Sequence, residues 1–353
     1  MPQDTREADM LEKTRTASQL DGGTTEPSNS VDSARPDLRV TLAIADYDRT
    51  RPLLDGRVKA AGIDLQTTTA SIPEFCLVPV YEQYDLAEMS LSWYLMAHCR
   101  EEPVVALPLF PLRMPVHAYM YCRADAPYTH PQHLAGKRIG TKRYRSTINV
   151  WLRGILQDYH GLRPQDFTWF TPAEEGAGFV IPAGVSVTVR PGDMADMEEL
   201  LFKGEIDALF TPVLPEAVLR GDPRIRRLYP DCRTVSRAYC EQTGFLPITH
   251  TVVMNKRLWE REPWVAERIF AAVNEAQRQC LAFYRADPKH LMLCETVYTF
   301  EQERATYGAD PWAHGVAANR AALETFVRYA HEQGYIPRRP TLDSVFASNT
   351  LSL

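Results

Sequence analysis

Ala45-Asp46-Tyr47-Asp48-Arg49-Thr50, directly behind the apolar run Val40–Ala45, is the stretch on which the fold turns. The run is short and β-compatible, and Thr50-Arg51-Pro52 opens a helix with proline in its first turn, so the spacing predicts a strand-to-helix junction. Such junctions hold anions in α/β proteins, because unpaired backbone N–H groups point out of the helix start. This one also carries Arg49, a planar fork that can grip a carboxylate from two sides, beside Asp46, Tyr47 and Asp48. A capped turn with solvated charges fits the stretch equally well when it is read alone. The balance tips because later junctions repeat the chemistry.

Outward from this junction, strands and helices alternate. Leu38–Ala45 is a strand, Pro52–Ala61 a short helix and Gly62–Leu65 a strand; a helix around Glu74–Gln83 leads into the strand Asp85–Met89. Ser90 then caps a helix over Leu91–Arg100, and Val104–Leu109 and His117–Cys122 follow as strands. A second unit repeats the pattern, with strands at Arg138–Gly140, Phe167–Phe170, Val185–Val189 and Ala208–Phe210 and helices at Thr147–Tyr159 and Met194–Lys203. Phe245–Met254 reads as a strand crossing back. Pro263–Gly334 is nearly all helix, broken at Pro288 and Pro311, and Ile336–Leu353 wraps the surface. This is the pattern of sheets covered by helices. Tyr84-Asp85-Leu86-Ala87-Glu88-Met89-Ser90 is echoed by Glu205-Ile206-Asp207-Ala208-Leu209-Phe210-Thr211-Pro212, as expected of two lobes of similar build.

The 353 residues suffice for two domains sharing a cleft. With 45% hydrophobic and 24% charged residues the chain has an ordinary soluble composition, and its net charge of -6 gives no reason to expect nucleic acid or an anionic membrane as partner. Seven cysteines without C-x-x-C spacing argue against a disulfide framework and a zinc knuckle, and for a reducing, cytoplasmic location. No signal-peptide core and no apolar run of membrane-spanning length is found. Residues 1–36, poor in bulky apolar groups, predict a disordered tail.

Ligand-type groups collect at the junctions: Asp46, Arg49 and Thr50 at the first, Glu88 and Ser90 at the second, Arg113 and His117 after the strand Val104–Leu109. The second unit adds Tyr144, Thr147, Asn149 and Arg153 at a helix start, and Thr211 and His250 close the set. Each has a plainer role available. Glu88 can be one half of a structural ion pair, His117 and His250 can be hydrogen-bonded core histidines, and Lys142-Arg143-Tyr144-Arg145 can be a solvated loop. No His, Asp or Glu group has tight metal-ligand spacing.

Asp46-Tyr47-Asp48-Arg49-Thr50, Ala87-Glu88-Met89-Ser90-Leu91-Ser92, Phe110-Pro111-Leu112-Arg113 with His117, Trp151-Leu152-Arg153-Gly154-Ile155-Leu156 and Thr249-His250-Thr251-Val252-Val253 together resemble the 4,5-dihydroxyphthalate decarboxylase family. The resemblance is colinear from about Leu38 to beyond Gly334. It departs from the family pattern at Arg145-Ser146 and at Val116. It implies a type II periplasmic-binding-protein-like fold, bilobal α/β with two crossover strands and a helical C-terminal segment. On that frame residues 38–123 with 246–353 form one lobe and 124–245 the other.

The resemblance also implies non-oxidative loss of one carboxylate from a dihydroxylated aromatic diacid, without an organic cofactor; no metal site is read from the sequence, and whether a metal assists is left open. Such a ring loses CO2 most readily once the carbon bearing the carboxylate is protonated, which calls for a proton donor, an acceptor for the phenol and cationic clamps. Arg49 and Arg113 suit the clamps; Asp46, Thr50, Ser90, Tyr144, Thr147, Asn149, Arg153 and Thr211 complete the expected substrate contacts. His117 or His250 suits the donor, and Glu88 either accepts from a ring hydroxyl or is itself the acid if burial raises its pKa. The partner expected is a small aromatic carboxylate, and a homo-oligomer is left open. Two other readings stand beside this one: a solute-binding or sensor protein of the same fold, and another enzyme on it, such as a thiamine-pyrimidine-synthase-like or chorismate-dehydratase-like protein. Fold alone does not decide among them.

Overall fold

Val40, Leu42 and Ile44 face one hydrophobic cluster and Ala43 another, and all four are fully buried, so this strand is covered on both sides. A computed structural model describes residues 37–69, 80–176, 178–286, 292 and 294–353. The chain runs β1 (Leu38–Ile44), α1 (Arg51–Leu54), β2 (Ile63–Thr69), α2 (Val80–Gln83), β3 (Leu86–Ser90), α3 (Leu91–Cys99) and β4 (Val104–Leu107). Next come β5 (Met120–Arg123), β6 (Arg138–Thr141), α4 (Thr147–His160), β7 (Thr168–Thr171), β8 (Ser186–Val189), α5 (Met194–Phe202), β9 (Ala208–Phe210), α6 (Glu216–Leu219), β10 (Ile225–Arg227) and α7 (Cys232–Thr243). The remainder is β11 (His250–Asn255), α8 (Lys256–Arg261), α9 (Trp264–Ala286), α10 (Thr296–Tyr307), α11 (Val316–Glu332) and α12 (Leu342–Val345).

Two sheets result, ordered β2-β1-β3-β11-β4 and β10-β5-β9-β6-β7-β8. In the first, β1 runs parallel to β2 and β3, while β11 runs antiparallel to β3 and β4. In the second, β9, β6, β7 and β8 are parallel, and β5 and β10 are antiparallel additions. The fold is bilobal α/β. The chain passes between the sheets twice, after β4 and before β11, and the two linkers pair antiparallel. Thr249 N–H donates to Leu112 O at 2.9 Å, Met114 N–H to Pro247 O at 3.0 Å, and Arg113 bridges Ile248 between them.

The internal echo has a structural basis. Asp85 Oδ2, at the start of β3, accepts from the Thr41 N–H of neighbouring β1 at 2.9 Å. Asp207 Oδ2, just before β9, accepts from the Arg138 N–H of neighbouring β6 at 3.0 Å. In both sheets an aspartate pins its own strand to a parallel partner.

Several expectations need correction. The helix expected over Pro52–Ala61 is a single turn, closed at Asp55-Gly56, where Gly56 takes φ +77°. His117 sits on a 3-10 turn, Val116–Tyr119, rather than in a strand, because Pro115 ends the linker just before it. Strand Met120–Arg123, expected in the first lobe, pairs with β9 and β10 in the second sheet. The expected strand Phe245–Met254 begins only at His250, its first residues being linker. The C-terminal segment is not a surface wrap: Val345 and Phe346 are buried, and Phe346 bridges Ala106 of β4. The expected tail 1–36, the first part of the helix expected over Glu74–Gln83, Cys76 and the break at Pro288 lie outside the described residues.

Candidate active site

The first junction is locked by one hydroxyl. Thr50 Oγ1 accepts from Tyr47 N–H at 3.0 Å and donates to Ala45 O at 2.9 Å, closing the turn after β1. Thr50 is buried and its bonding capacity is spent on the backbone, so it shapes the site rather than reaching a ligand. Asp46 points outward and pairs with Arg51 at 3.0 Å. The turn thereby presents Tyr47 and Arg49 inward.

Glu88, fully buried on β3, is the centre of the arrangement. Its register partner on β11 is Val252, which puts His250 two residues along the same face. His250 Nδ1 lies 2.5 Å from Glu88 Oε1, which also accepts from Tyr47 Oη at 2.7 Å, and Oε2 accepts from Ala45 N–H at 3.1 Å. Burial alone raises the carboxyl's pKa, but the bonds from His250 and Tyr47, the imidazole's charge and the Ala45 N–H outweigh it and hold Glu88 below the usual carboxylate range. That direction favours Glu88 as an ionised acceptor over Glu88 as the acid. The Tyr47 phenol is pushed far up by burial and then by the Glu88 charge, so it stays a donor. With Nδ1 committed, Nε2 is the atom of His250 left for chemistry; it has no partner among the described residues.

Arg49 stands beside this pair, and Arg113 lies next to Arg49. Arg49 is sandwiched between the rings of Tyr47 (4.1 Å) and Trp312 (3.9 Å), gives Nε–H and Nη2–H to Pro111 O, and meets Asp48 through Nη1 at 3.2 Å. It is a positioned charge with part of its fork already used. Arg113 is buried, and Nη2 donates to Asn319 Oδ1 (2.7 Å) and Ala313 O (2.6 Å), both neutral. Its buried Nε has no partner and no carboxylate pairs with it among the described residues. Burial pushes the Arg113 pKa down to about 10, Asp310 opposing and Arg49 assisting. A buried cation without a counter-ion is costly unless an anion comes to it. Cavities of about 250 and 290 Å³ open beside Arg49 and beside Arg113; both share Pro311, and Glu88 and His250 line neither.

The remaining expected contacts divide. Ser90 Oγ at the end of β3 meets Thr147 Oγ1 at the start of α4 at 2.6 Å, joining the two halves by a hydroxyl pair. Tyr144 and Arg153 turn away into packing: Arg153 gives Nη1–H to Tyr144 O, Nη2–H to Tyr335 Oη and Nε–H to Gln333 Oε1, at 3.0, 2.6 and 2.8 Å. Arg153 is thereby held by three protein acceptors, while the buried Tyr144 Oη has no partner among the described residues. Asn149 donates to Thr141 Oγ1 and Arg143 O, holding the loop before α4, and Thr211 Oγ1 accepts from Val213 N–H. His117 lies in another cluster, its ring 5.2 Å from that of Tyr239 and 6.1 Å from that of Tyr229. Burial, with His160 adding, pushes its pKa down to about 4, which favours an uncharged ring at neutral pH over the donor role expected of it. Trp312, Asn319 and His314 were not singled out by the sequence. The signal for Trp312 and His314 is Pro311-Trp312-Ala313-His314-Gly315, an aromatic and histidine set between helices, while Asn319 lies inside α11 with no local signal.

No family model matches the chain. The chain is 30% identical over 314 residues to a 4,5-dihydroxyphthalate decarboxylase of Comamonas testosteroni, covering 86% of this chain and 94% of that protein. It is 34% identical over 203 residues to a 4,5-dihydroxyphthalate decarboxylase of Pseudomonas putida, covering 55% and 78%. Among solved structures, the periplasmic aliphatic sulphonate binding protein SsuA of Escherichia coli matches at TM-score 0.52 and 13% identity, over 88% of this chain and 92% of that one. A putative periplasmic sulfonate-binding protein SsuA of Methylobacillus flagellatus matches at TM-score 0.54 and 13% identity, over 90% and 94%. At that identity the likeness is one of fold, that of the periplasmic binding proteins.

Proposed function

Because the chain belongs to the 4,5-dihydroxyphthalate decarboxylase family, we propose that this carboxy-lyase removes one carboxylate of 4,5-dihydroxyphthalate as CO2 and leaves protocatechuate, in a cleft between the two lobes. The observation that carries this reading is the buried Glu88 carboxylate holding His250 Nδ1 at 2.5 Å, with Arg49 beside it and Arg113 next to Arg49.

The diacid brings two negative charges, and Arg113 and Arg49 answer them. Arg113, with neutral acceptors only and an open Nε, takes the carboxylate that is retained; Arg49 steers the other by charge from between its two rings. His250, as imidazolium, gives its Nε2 proton to the ring carbon that carries the departing carboxylate. The para hydroxyl supplies electron density to that carbon, and Glu88 is the counter-charge that stabilises the imidazolium and fixes its orientation. The C–C bond then breaks, its electron pair restores the aromatic ring and CO2 leaves. His250 regains a proton from solvent, so one proton is consumed per CO2. Ser90 and Thr147, in contact across the lobes, mark where the cleft closes. The lobes proposed are those expected from the sequence, with Met120–Arg123 moved to the second by its pairing.

The six described cysteines are free thiols, which supports a reducing compartment, and among the described residues no helix is long and apolar enough to cross a membrane. The test is incubation with 4,5-dihydroxyphthalate in D2O, following CO2 and product. The expected product is protocatechuate with one deuterium at the vacated ring position. Tight binding without CO2 release would favour a solute-binding protein instead.

A further inference from the structure

Between α10 and α11 the chain makes a short non-helical crossing whose last residues are Ala313-His314-Gly315. Gly315 takes φ +89°, and a Cβ there would fall 2.6 Å from Leu353 O, so only glycine fits the turn. Its N–H donates to Pro108 O at 2.8 Å. The turn lays His314 on the linker that carries Arg113, where Phe110 N–H donates to His314 Nδ1 at 3.0 Å. The residue before it, Ala313, accepts from Arg113 Nη2, and Trp312 stacks on Arg49.

This backbone bond fixes the tautomer. A ring nitrogen that accepts from an N–H carries a lone pair, so in the neutral ring the hydrogen is on Nε2. The ring stays neutral: burial pushes its pKa down to about 3, and the Arg113 and Arg49 charges act in the same direction. Nε2–H has no partner among the described residues and is not sealed off, and His314 keeps accessible surface although it is deep among protein atoms. Nε2–H is thus an unpartnered donor with access to solvent, next to the Arg113 and Arg49 charges.

We infer that His314 is a substrate-binding residue, whose Nε2–H donates to a carboxylate oxygen of the aromatic diacid drawn in by Arg49 and Arg113. The inference rests on the substrate placement proposed above and adds a residue to it. The charge balance favours such a donor: two guanidiniums already match two carboxylates, and a third cation would overshoot, whereas a neutral N–H adds direction without charge. A histidine protonated at neutral pH could not serve this way.

The competing role is structural, a pin between Ala313 and Phe110, and two variants separate the two. His314→Asn keeps an acceptor near Nδ1 for Phe110 N–H and removes the Nε2 donor. His314→Gln places an amide N–H near Nε2. Losing one hydrogen bond to a charged group is expected to raise KM about 10- to 100-fold in His314→Asn, with kcat within a few-fold, and His314→Gln should recover part of it. A folded His314→Asn enzyme with KM within twofold of the parent overturns the inference. Independently of folding in the variants, phthalate titrated into the parent protein labelled with 15N-histidine should shift the Nε2–H resonance of His314 and leave Nδ1 unprotonated. Saturation with no shift overturns it as well. CO2 release by the parent enzyme tests the decarboxylase reading separately. Should the parent bind phthalate but release no CO2, the ratio of phthalate Kd values between parent and His314→Asn still decides the role of His314: a tenfold or larger rise supports it, and equal values, or no binding to the parent, overturn it.

Discussion

Replacing Glu88 by Gln preserves shape and removes the charge on which the proposed chemistry depends. The carboxylate now accepts three bonds, from His250 Nδ1 (2.5 Å), Tyr47 Oη (2.7 Å) and Ala45 N–H (3.1 Å). An amide cannot reproduce that set. With its oxygen toward His250 and Tyr47, its NH2 faces the Ala45 N–H, donor against donor. Turned round, the NH2 meets His250 Nδ1, which must then accept and carry its hydrogen on Nε2 as a neutral ring. Either way the imidazolium formed in turnover loses its counter-charge. A hydrogen bond to a charged group contributes roughly 1.5–3 kcal/mol. At about 1.4 kcal/mol per tenfold, kcat should fall by roughly 10- to 150-fold from that bond alone. Stability should move little, because removing a buried charge recovers desolvation free energy that offsets the lost bonds. The assay is CO2 release at saturating 4,5-dihydroxyphthalate beside a melting curve for both proteins. A Glu88→Gln enzyme with kcat within threefold of the parent refutes the argument, and so does a variant that fails only because it unfolds.

Arg113→Gln should weaken binding of the diacid by about a hundredfold while leaving the melting temperature unchanged or higher, since the guanidinium is buried without a carboxylate partner; a large loss of stability with unchanged KM would make it a structural pin for Ala313 and Asn319. His117 has its folded pKa pushed down to about 4 from 6.5, so between those values the unfolded chain binds the extra proton and stability falls as pH falls. Urea midpoints at pH 7 and pH 4.5 should show His117→Phe losing roughly 2–3 kcal/mol less than the parent over that interval, and parallel pH slopes would contradict the burial of a neutral ring. Gly154→Ala tests the packing of α4 on α11: its Cβ would fall 2.2 Å from the Tyr329 ring, which is tied through Oη to Asp158 at 2.8 Å. Overpacking of about 1–3 kcal/mol should outweigh the roughly 1 kcal/mol gain in helix propensity, so the melting temperature should drop, and a rise would show that the ring can yield.

Much of the fold could be read because its signals are local. The buried strand before Asp46, the paired Asp85 and Asp207 segments and the long amphipathic α4 each stand out within a few residues. What failed depended on partners far along the chain. Nothing near Arg153 reveals that Gln333 and Tyr335, from beyond α11, occupy its guanidinium. Nothing near His117 reveals the tyrosines that enclose it, and the apolar run after it suggested a strand although Pro115 had already set a turn. Glu88, His250, Arg49 and Arg113 could be put forward from the sequence because each sits at a strand end or in a linker, where a charged side chain has a reason to be. Which atoms of theirs are free could not be read from it. His314 was hidden because its short non-helical crossing was read as part of a nearly all-helical segment.

The echo between the lobes bears on why the chemistry lies where it does. Counting from the aspartate that pins each strand, Glu88 of β3 corresponds to Phe210 of β9. Phe210 is fully buried and sits edge-on to Trp169 with ring centroids 6.0 Å apart, the ordinary content of a covered strand. At the same place in the first sheet stands a carboxylate, equally buried. Burying an ion costs several kcal/mol more than burying a ring, and the three donors around Glu88 offset that cost without turning it into a gain in stability. A strand position that holds phenylalanine in one lobe had no structural need for glutamate in the other. The turn locked by Thr50, the Tyr47 phenol and the register of β11 all serve to keep that one charge ionised next to His250. Stability alone does not account for the arrangement; the proposed imidazolium, formed beside a dianionic substrate, would.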